Sequence, residues 1–249
     1  MKELIFYFAC FFIFINVSAQ TSLLETNYVK NNQKVNIEIN DANLINVSGW
    51  NESYISIKAL IQINNGENDE SYKIETQNKS GEVYIEGFIQ DKDQLPRIIQ
   101  IKKGDQIYSF NTDDLSSPEI QKFYDEQGKD GIQWTSHGVM WDIQYEISVP
   151  QHIQLSINSK FGLIDIENFN GSIQANSKHG GVDLAVNSSR KMDFNLKSDW
   201  GEILTDLNLN FNKTEFKKWT EITCDLNGGG GTMAILESKH GNIYLRESK

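Results

Sequence analysis

Cysteine is almost missing from this chain, with two in 249 residues, Cys10 and Cys224. Cys10 falls in the apolar run at the start, so the body keeps one thiol and no internal disulfide can close. Stability must then come from burial and backbone ladders. After the first residues there is no apolar run of the ~20 residues needed to cross a bilayer. Basic residues are the minority: Lys+Arg number 23 against 34 Asp+Glu, a net charge of −11. Phosphate recognition rests on clustered Lys and Arg, so nucleic acid and anionic membrane surfaces are not expected partners. Enzyme signatures are lacking too: no His-Glu-x-x-His, no Gly-x-Ser-x-Gly, no zinc-type cysteine pair. The run Gly228–Gly231 lacks the Lys-Ser/Thr and helix of a phosphate loop and reads as a turn. No catalytic residue, cofactor or metal site is expected, and the chain reads as non-enzymatic.

What is present begins with a targeting segment. Lys2 supplies a positive start, Leu4 to Val17 an apolar run, and Val17-Ser18-Ala19 a small-residue cleavage pattern. Residues 1–19 are expected to be a cleaved signal peptide, with 20–249 as one domain starting at Gln20.

The strongest signal in the body is repetition. Four stretches share a Ser-x-aromatic-Gly core: Asn158–Gly162, Asn176–Gly180, Lys197–Gly201 and Glu237–Gly241, with a weaker early copy at Gln77–Gly81. Each is followed by period-two alternation, such as Ile164/Ile166, Val182/Leu184 and Ile243/Leu245. A period of about 20 residues with strand alternation predicts an all-β, parallel β-solenoid with stacked coils. Stacked in chain order, Phe161, His179 and Trp200 become vertical neighbours, and Ser159, Ser177, Ser198 and Ser238 form a second column. His179 and His240 would then lie about three coils apart, roughly 14 Å, too far to share an ion. The turn glycines imply positive φ or no room for a Cβ.

Residues 88–141 break this rhythm and read as an irregular insertion. Ser116-Ser-Pro-Glu119 has capping-box spacing, Ile120, Phe123 and Tyr124 share one helical face, and Gly128 can end the helix. One short helix near 117–127 is therefore predicted.

Two aromatic groups are candidate ligand-binding residues: Phe161, His179 and Trp200 along the repeats, and Trp134 and Trp141 near the insertion. Planar rings on a rigid surface can stack on sugars or peptide aromatics. Asp165, Asp183 and Asp206 follow turn glycines; repeated carboxylates can bind calcium, although outward charges on alternating strands need no ligand.

The chain also resembles the bacterial β-strand-repeat family of putative adhesins, relatives of the head domain of autotransporter adhesins. The resemblance rests on Val47-Ser-Gly-Trp50, Ile147-Ser-Val-Pro150, the Gly-x-Ile-x-Ile and Gly-x-Val-x-Leu units at 162–166 and 180–184, and the ending from Leu226 to Leu245. It covers roughly 30–87 and 142–249 and leaves 88–141 unaccounted for. It implies a secreted or envelope-associated parallel β-solenoid and no established reaction.

The expected function is an exported, adhesin-like scaffold or binding module in the periplasm or on the surface of a Gram-negative bacterium. Its partner would be a surface glycan or envelope protein. Two alternatives remain. A β-helix carbohydrate-active enzyme, such as a polysaccharide lyase, requires Asp165 and Asp183 to meet a Lys or Arg in one groove. A periplasmic partner of an envelope signalling protein requires a contiguous apolar patch on the insertion.

Overall fold

Alternating aliphatic and polar residues drive almost every element, because period-two patterns place one side of a strand in a core and the other in solvent. The computed structural model describes residues 21–30, 32–216 and 219–248. The expected signal peptide at 1–19, with Cys10 and the predicted start at Gln20, lies outside the described residues.

In chain order, β1 (Thr21–Tyr28), β2 (Lys34–Ile39), β3 (Leu44–Trp50) and β4 (Tyr54–Ile63) lead into a hairpin of β5 (Tyr72–Lys79) and β6 (Glu82–Ile89). The insertion holds β7 (Ile98–Lys103), β8 (Gln106–Phe110), α1 (Pro118–Gln127) and β9 (Ile132–Gly138). Then come β10 (Trp141–Pro150), β11 (Gln154–Phe161), β12 (Leu163–Glu167), β13 (Ser172–His179), β14 (Val182–Val186), β15 (Met192–Ser198) and β16 (Ile203–Thr205). The chain ends with β17 (Asn210–Phe216), β18 (Thr220–Leu226), β19 (Thr232–Ser238) and β20 (Ile243–Glu247).

These strands do not form the parallel β-solenoid that the repeats suggest. They form two large mixed sheets and a small third one. The first sheet runs β1-β4-β10-β3-β12-β14-β20-β16, and the second β17-β18-β15-β19-β13-β11-β2-β6-β5. Parallel ladders occupy the middle, whereas β1–β4, β4–β10, β5–β6, β15–β18 and β17–β18 pair antiparallel. Two local features cause the difference. Ser80 (φ 53°) and Gly81 (φ 86°) make a two-residue turn between β5 and β6. Positive φ at both central residues is the hairpin turn that matches strand twist, so the early repeat copy closes an antiparallel hairpin instead of a coil. The excursion after β16 is likewise a β17–β18 hairpin, and β18 covers one side of β15. The last strand pair therefore enters the stack from the other side: β19 sits between β13 and β15.

The inward faces of the two sheets meet in one core. Val35, Leu155, Ile173, Ala234 and Phe194 form one buried row across the second sheet, facing Ile45, Ile164, Val182 and Ile243 of the first. Burying an aliphatic side chain contributes about 1.5–3 kcal/mol. Cys224 is buried on this inward parity, and burial pushes its thiol up to about 11, which keeps it protonated.

The insertion is more ordered than its sequence suggests. Strands β8-β7-β9 form an antiparallel sheet. Ile99, Ile101, Ile120 and Phe123 give it a core of its own beneath α1. Helix α1 ends as expected at Gly128, whose N–H donates to the Tyr124 carbonyl. The expected capping box is not formed: the N-cap, Ser117, makes no side-chain cap bond, and Ser116 donates instead to Asp114. The Gly228–Gly231 turn is held from within. Gly228 N–H donates to Asp225 and Gly230 N–H to Asp193, so the protein's own carboxylates occupy the backbone donors a phosphate would need.

Candidate functional site

The corner between the two sheets is built from the Ser-x-aromatic-Gly repeats. Strand register places Ser159, Ser177, Ser238 and Ser198 on the inward face in that order, all buried. Each later hydroxyl crosses to the neighbouring rung: Ser177 to the Gly162 carbonyl (2.9 Å), Ser238 to Gly180 (2.8 Å) and Ser198 to Gly241 (3.2 Å). The rungs touch at the glycines. A Cβ on Gly180 would lie 1.9 Å from the Gly162 carbonyl oxygen, and one on Gly241 2.0 Å from that of Gly180. Close backbone approach therefore demands these two glycines, whereas Gly162 also needs its positive φ of 89°. The serine column does form, as bonds to glycine carbonyls instead of between hydroxyls.

Outside this seam runs a row of rings. Trp141 meets Phe161 at 5.9 Å between centroids, Phe161 stacks on His179 at 5.2 Å, and His179 stacks on His240 at 4.9 Å with planes 3° apart. The expected wide separation of His179 and His240 is thus corrected: β19 intervenes between β13 and β15, so the two rings are adjacent. Trp200 follows His240 by register, two residues past the Ser198–Ser238 pair. It makes no ring contact among the described residues and is 75% exposed. The row accordingly joins Trp141, Phe161 and His179 from the candidate set, adds His240, and leaves Trp200 as a free indole at its end. Trp134 stands apart on β9, paired with Lys102.

Stacking hides ring faces and leaves ring edges outward. The histidines therefore offer nitrogen donors and acceptors at the surface, and Trp200 offers an open face. Lys92 lies 3.6 Å from the Trp141 ring centroid and is paired with Asp41 at 2.5 Å, which fixes that end of the row. A cavity of about 500 Å³ opens beside it, lined by Asn43, His137, Met140, Trp141 and Phe161 among others. The His179 imidazole is held below its ordinary value, first by lost solvation, then by His240 and by Lys178, Lys160 and Lys239. Lys92 was not legible as part of this site, because it lies in the insertion; His240 was legible at the same repeat position, but its adjacency to His179 depends on rung order.

On the first sheet, Asp165 and Asp183 are direct cross-strand partners. Arg246 reaches both, 2.6 Å from Asp183 and 3.5 Å from Asp165, the latter without hydrogen-bond geometry. Asp206 instead accepts the Glu247 N–H. No group of three or more His, Cys, Asp or Glu able to hold a metal occurs among the described residues. Burial, and then Asp183 and Glu167, push the Asp165 carboxyl above the usual range. This face borders an open cavity of about 510 Å³ lined by Glu146, Asp165 and Glu167 with Asn46 and Ser48. On the insertion, Ile107 (55% exposed) and Trp134 (39% exposed) flank Lys102 in one row, which interrupts the apolar surface.

No family model matches the chain, and no curated protein does. A solved structure described as a putative cell adhesion protein from Clostridium sporogenes is similar at 12% identity and a TM-score of 0.46, covering 92% of this chain and 100% of that one.

Proposed function

We propose that the chain is an exported, non-enzymatic, adhesin-like binding module of the bacterial envelope whose contact surface is the aromatic corner. The observation that carries this reading is the row of rings from Trp141 to His240, held by strand register and ending in a largely exposed Trp200. An indole face left open on a rigid ladder gains contact area when a sugar ring or apolar group covers it, and little ordering entropy opposes that contact. The partner is a surface glycan or envelope protein. A binding screen of residues 20–249 against both, with Trp200→Ala and Phe161→Ala beside the wild type, tests this. Loss of about tenfold in affinity on removing the indole is expected. Full affinity in both variants would contradict the reading.

A second reading, a polysaccharide lyase-like enzyme, is supported by the meeting of Asp165, Asp183 and Arg246 beside a cavity. Against it, Arg246 is already engaged by two carboxylates. Incubation with polyuronate separates the readings: an enzyme releases unsaturated products and loses activity in Asp183→Asn, whereas a binding module leaves the polymer intact.

A further inference from the structure

The repeat motif carries one residue that neither the fold nor the ring row uses. Its serine closes the seam and its glycine permits close approach, but the intervening lysine of three copies points outward. Lys160, Lys178 and Lys239 are exposed and follow the paired serines of three adjacent rungs, so they form one row across β11, β13 and β19. Neighbouring rungs are about 4.8 Å apart. Like charges directly opposite on adjacent strands repel and are destabilising.

Among the described residues, no carboxylate makes an ion pair with any of these three lysines. That is notable in a chain with 34 acidic against 23 basic residues, where Lys58, Lys34 and Arg246 all hold acidic partners. Lys160 also lies 5.2 Å from the centroid of its neighbour Phe161, and all three lysines are close enough to His179 to hold its imidazole down. Beside the lysines, the edges of His179 and His240 face outward. The row is bounded at β15 by Asp199 and at β2 by Asn40, which occupy the same register position.

We infer that this corner takes a polyanionic polysaccharide, a chain of carboxylate- or sulfate-bearing sugars laid across the strands so that its charges meet Lys160, Lys178 and Lys239 while its rings lie along the histidine edges. Asp199 and Glu237 line the same shallow cavity as Lys178 and Lys239 without pairing to them, and a regular file of cations free of ion pairs matches a polymer with one charge per sugar better than a single small anion. It also explains how an acidic chain engages an acidic ligand: the attraction is local, and the Debye length of about 8 Å at physiological salt hides the distant negative charge. This inference rests on the corner being a binding surface, and it names the ligand class.

The test uses polygalacturonate and the same polymer fully methyl-esterified, which keeps the sugars and removes the charge. Dextran sulfate and dextran form the sulfate arm, and single-stranded DNA is a third polyanion. The proteins are wild type, the triple variant Lys160→Gln/Lys178→Gln/Lys239→Gln, and Trp200→Ala, each with a matched unfolding temperature. Wild type should bind a charged glycan about tenfold more tightly than its neutral form, weaken with added salt, and lose that advantage in the triple variant. The arm that binds tells carboxylate from sulfate. Equal binding of charged and neutral glycans, both reduced by Trp200→Ala, would overturn the polyanion inference and leave the corner as a binding site. Failure to bind any glycan, charged or neutral, would overturn this inference and the glycan arm of the proposed function, leaving the envelope-protein arm to its own screen. Equal or tighter binding of DNA would overturn the glycan class.

Discussion

Two ladders of like charge run across this protein, and they are treated in opposite ways. On the first sheet Asp165 and Asp183 face each other in register, and Arg246 from the next strand closes on both. On the second sheet Lys160, Lys178 and Lys239 stand in the same relation, with no carboxylate closing on them among the described residues. The first ladder is partly offset by the fold itself, one guanidinium against two carboxylates. The second is left charged beside a row of ring edges. Repulsion between neighbours is tolerable at an exposed corner, where solvent screens it. The difference teaches that the acidic ladder has a cation of its own, whereas the basic one holds no ion pair among the described residues and is open to an outside partner.

The largest effect should come from breaking the register on which both ladders depend. Gly180→Ala drives a Cβ into the Gly162 carbonyl, and a loss of about 3 kcal/mol is expected in denaturant unfolding. A cost under about 0.5 kcal/mol would mean that the rungs are not in contact there. Next, Arg246→Met removes the neutralising cation. The three groups are partly exposed, so the loss should be only about 1–2 kcal/mol after screening, and Asp165→Asn in the same chain should recover part of it. If the acidic ladder is as unneutralised as the basic one, neither change will matter. Ser177→Ala removes a buried donor to the Gly162 carbonyl and should cost about 1 kcal/mol. The lysine triple variant, by contrast, should leave stability unchanged or raise it by a few tenths of a kcal/mol.

Acidity sharpens the contrast, because Asp165 in the acidic ladder and His179 beside the basic one respond with opposite sign. The Asp165 carboxyl is raised in the fold, chiefly by burial, so the folded state binds its proton more tightly than the unfolded chain. Its contribution to stability therefore falls as pH rises from the ordinary Asp value of about 3.9 through the folded value. The His179 imidazole is lowered, so the unfolded chain binds that proton first. Stability from this group is present above about pH 6.5 and is lost as pH falls below it. Unfolding curves across pH 4–8 for wild type, Asp165→Asn and His179→Gln should show each variant cancelling one trend.

Much of the architecture was legible because alternation reports facing directly. The inward serines, the turn glycines and the Phe161–His179 neighbourhood follow from residue spacing alone, as does α1 from Ile120, Phe123 and Gly128. Rung order was not legible. Ala234 and Leu236 of β19 pack equally well beside β13 or beyond β15, since every rung presents the same alternation. What decides it is the β17–β18 hairpin lying on β15, a non-local pairing that leaves no mark in Leu207–Leu226. Mixed sheets escaped for a related reason: Tyr72–Lys79 alternates identically whether it runs parallel or antiparallel, and only the positive φ at Ser80 and Gly81 settles the reversal. The site suffered from the same gap. The repeat motif placed Lys239 and His240 at the same corner as their counterparts, but they became neighbours of Lys178 and His179 only once β19 was placed.

The lysine row without ion pairs lies beside stacked histidines, so the histidine rings themselves report on any anion that binds there. Nuclear magnetic resonance titration of His179 and His240 side chains, with and without a short charged oligouronate or sulfated oligosaccharide, reads the corner directly. Both rings should shift on adding the anion, and the His179 pKa should move upward as negative charge arrives beside it. Ring signals and a His179 titration unmoved by saturating anion would contradict the account.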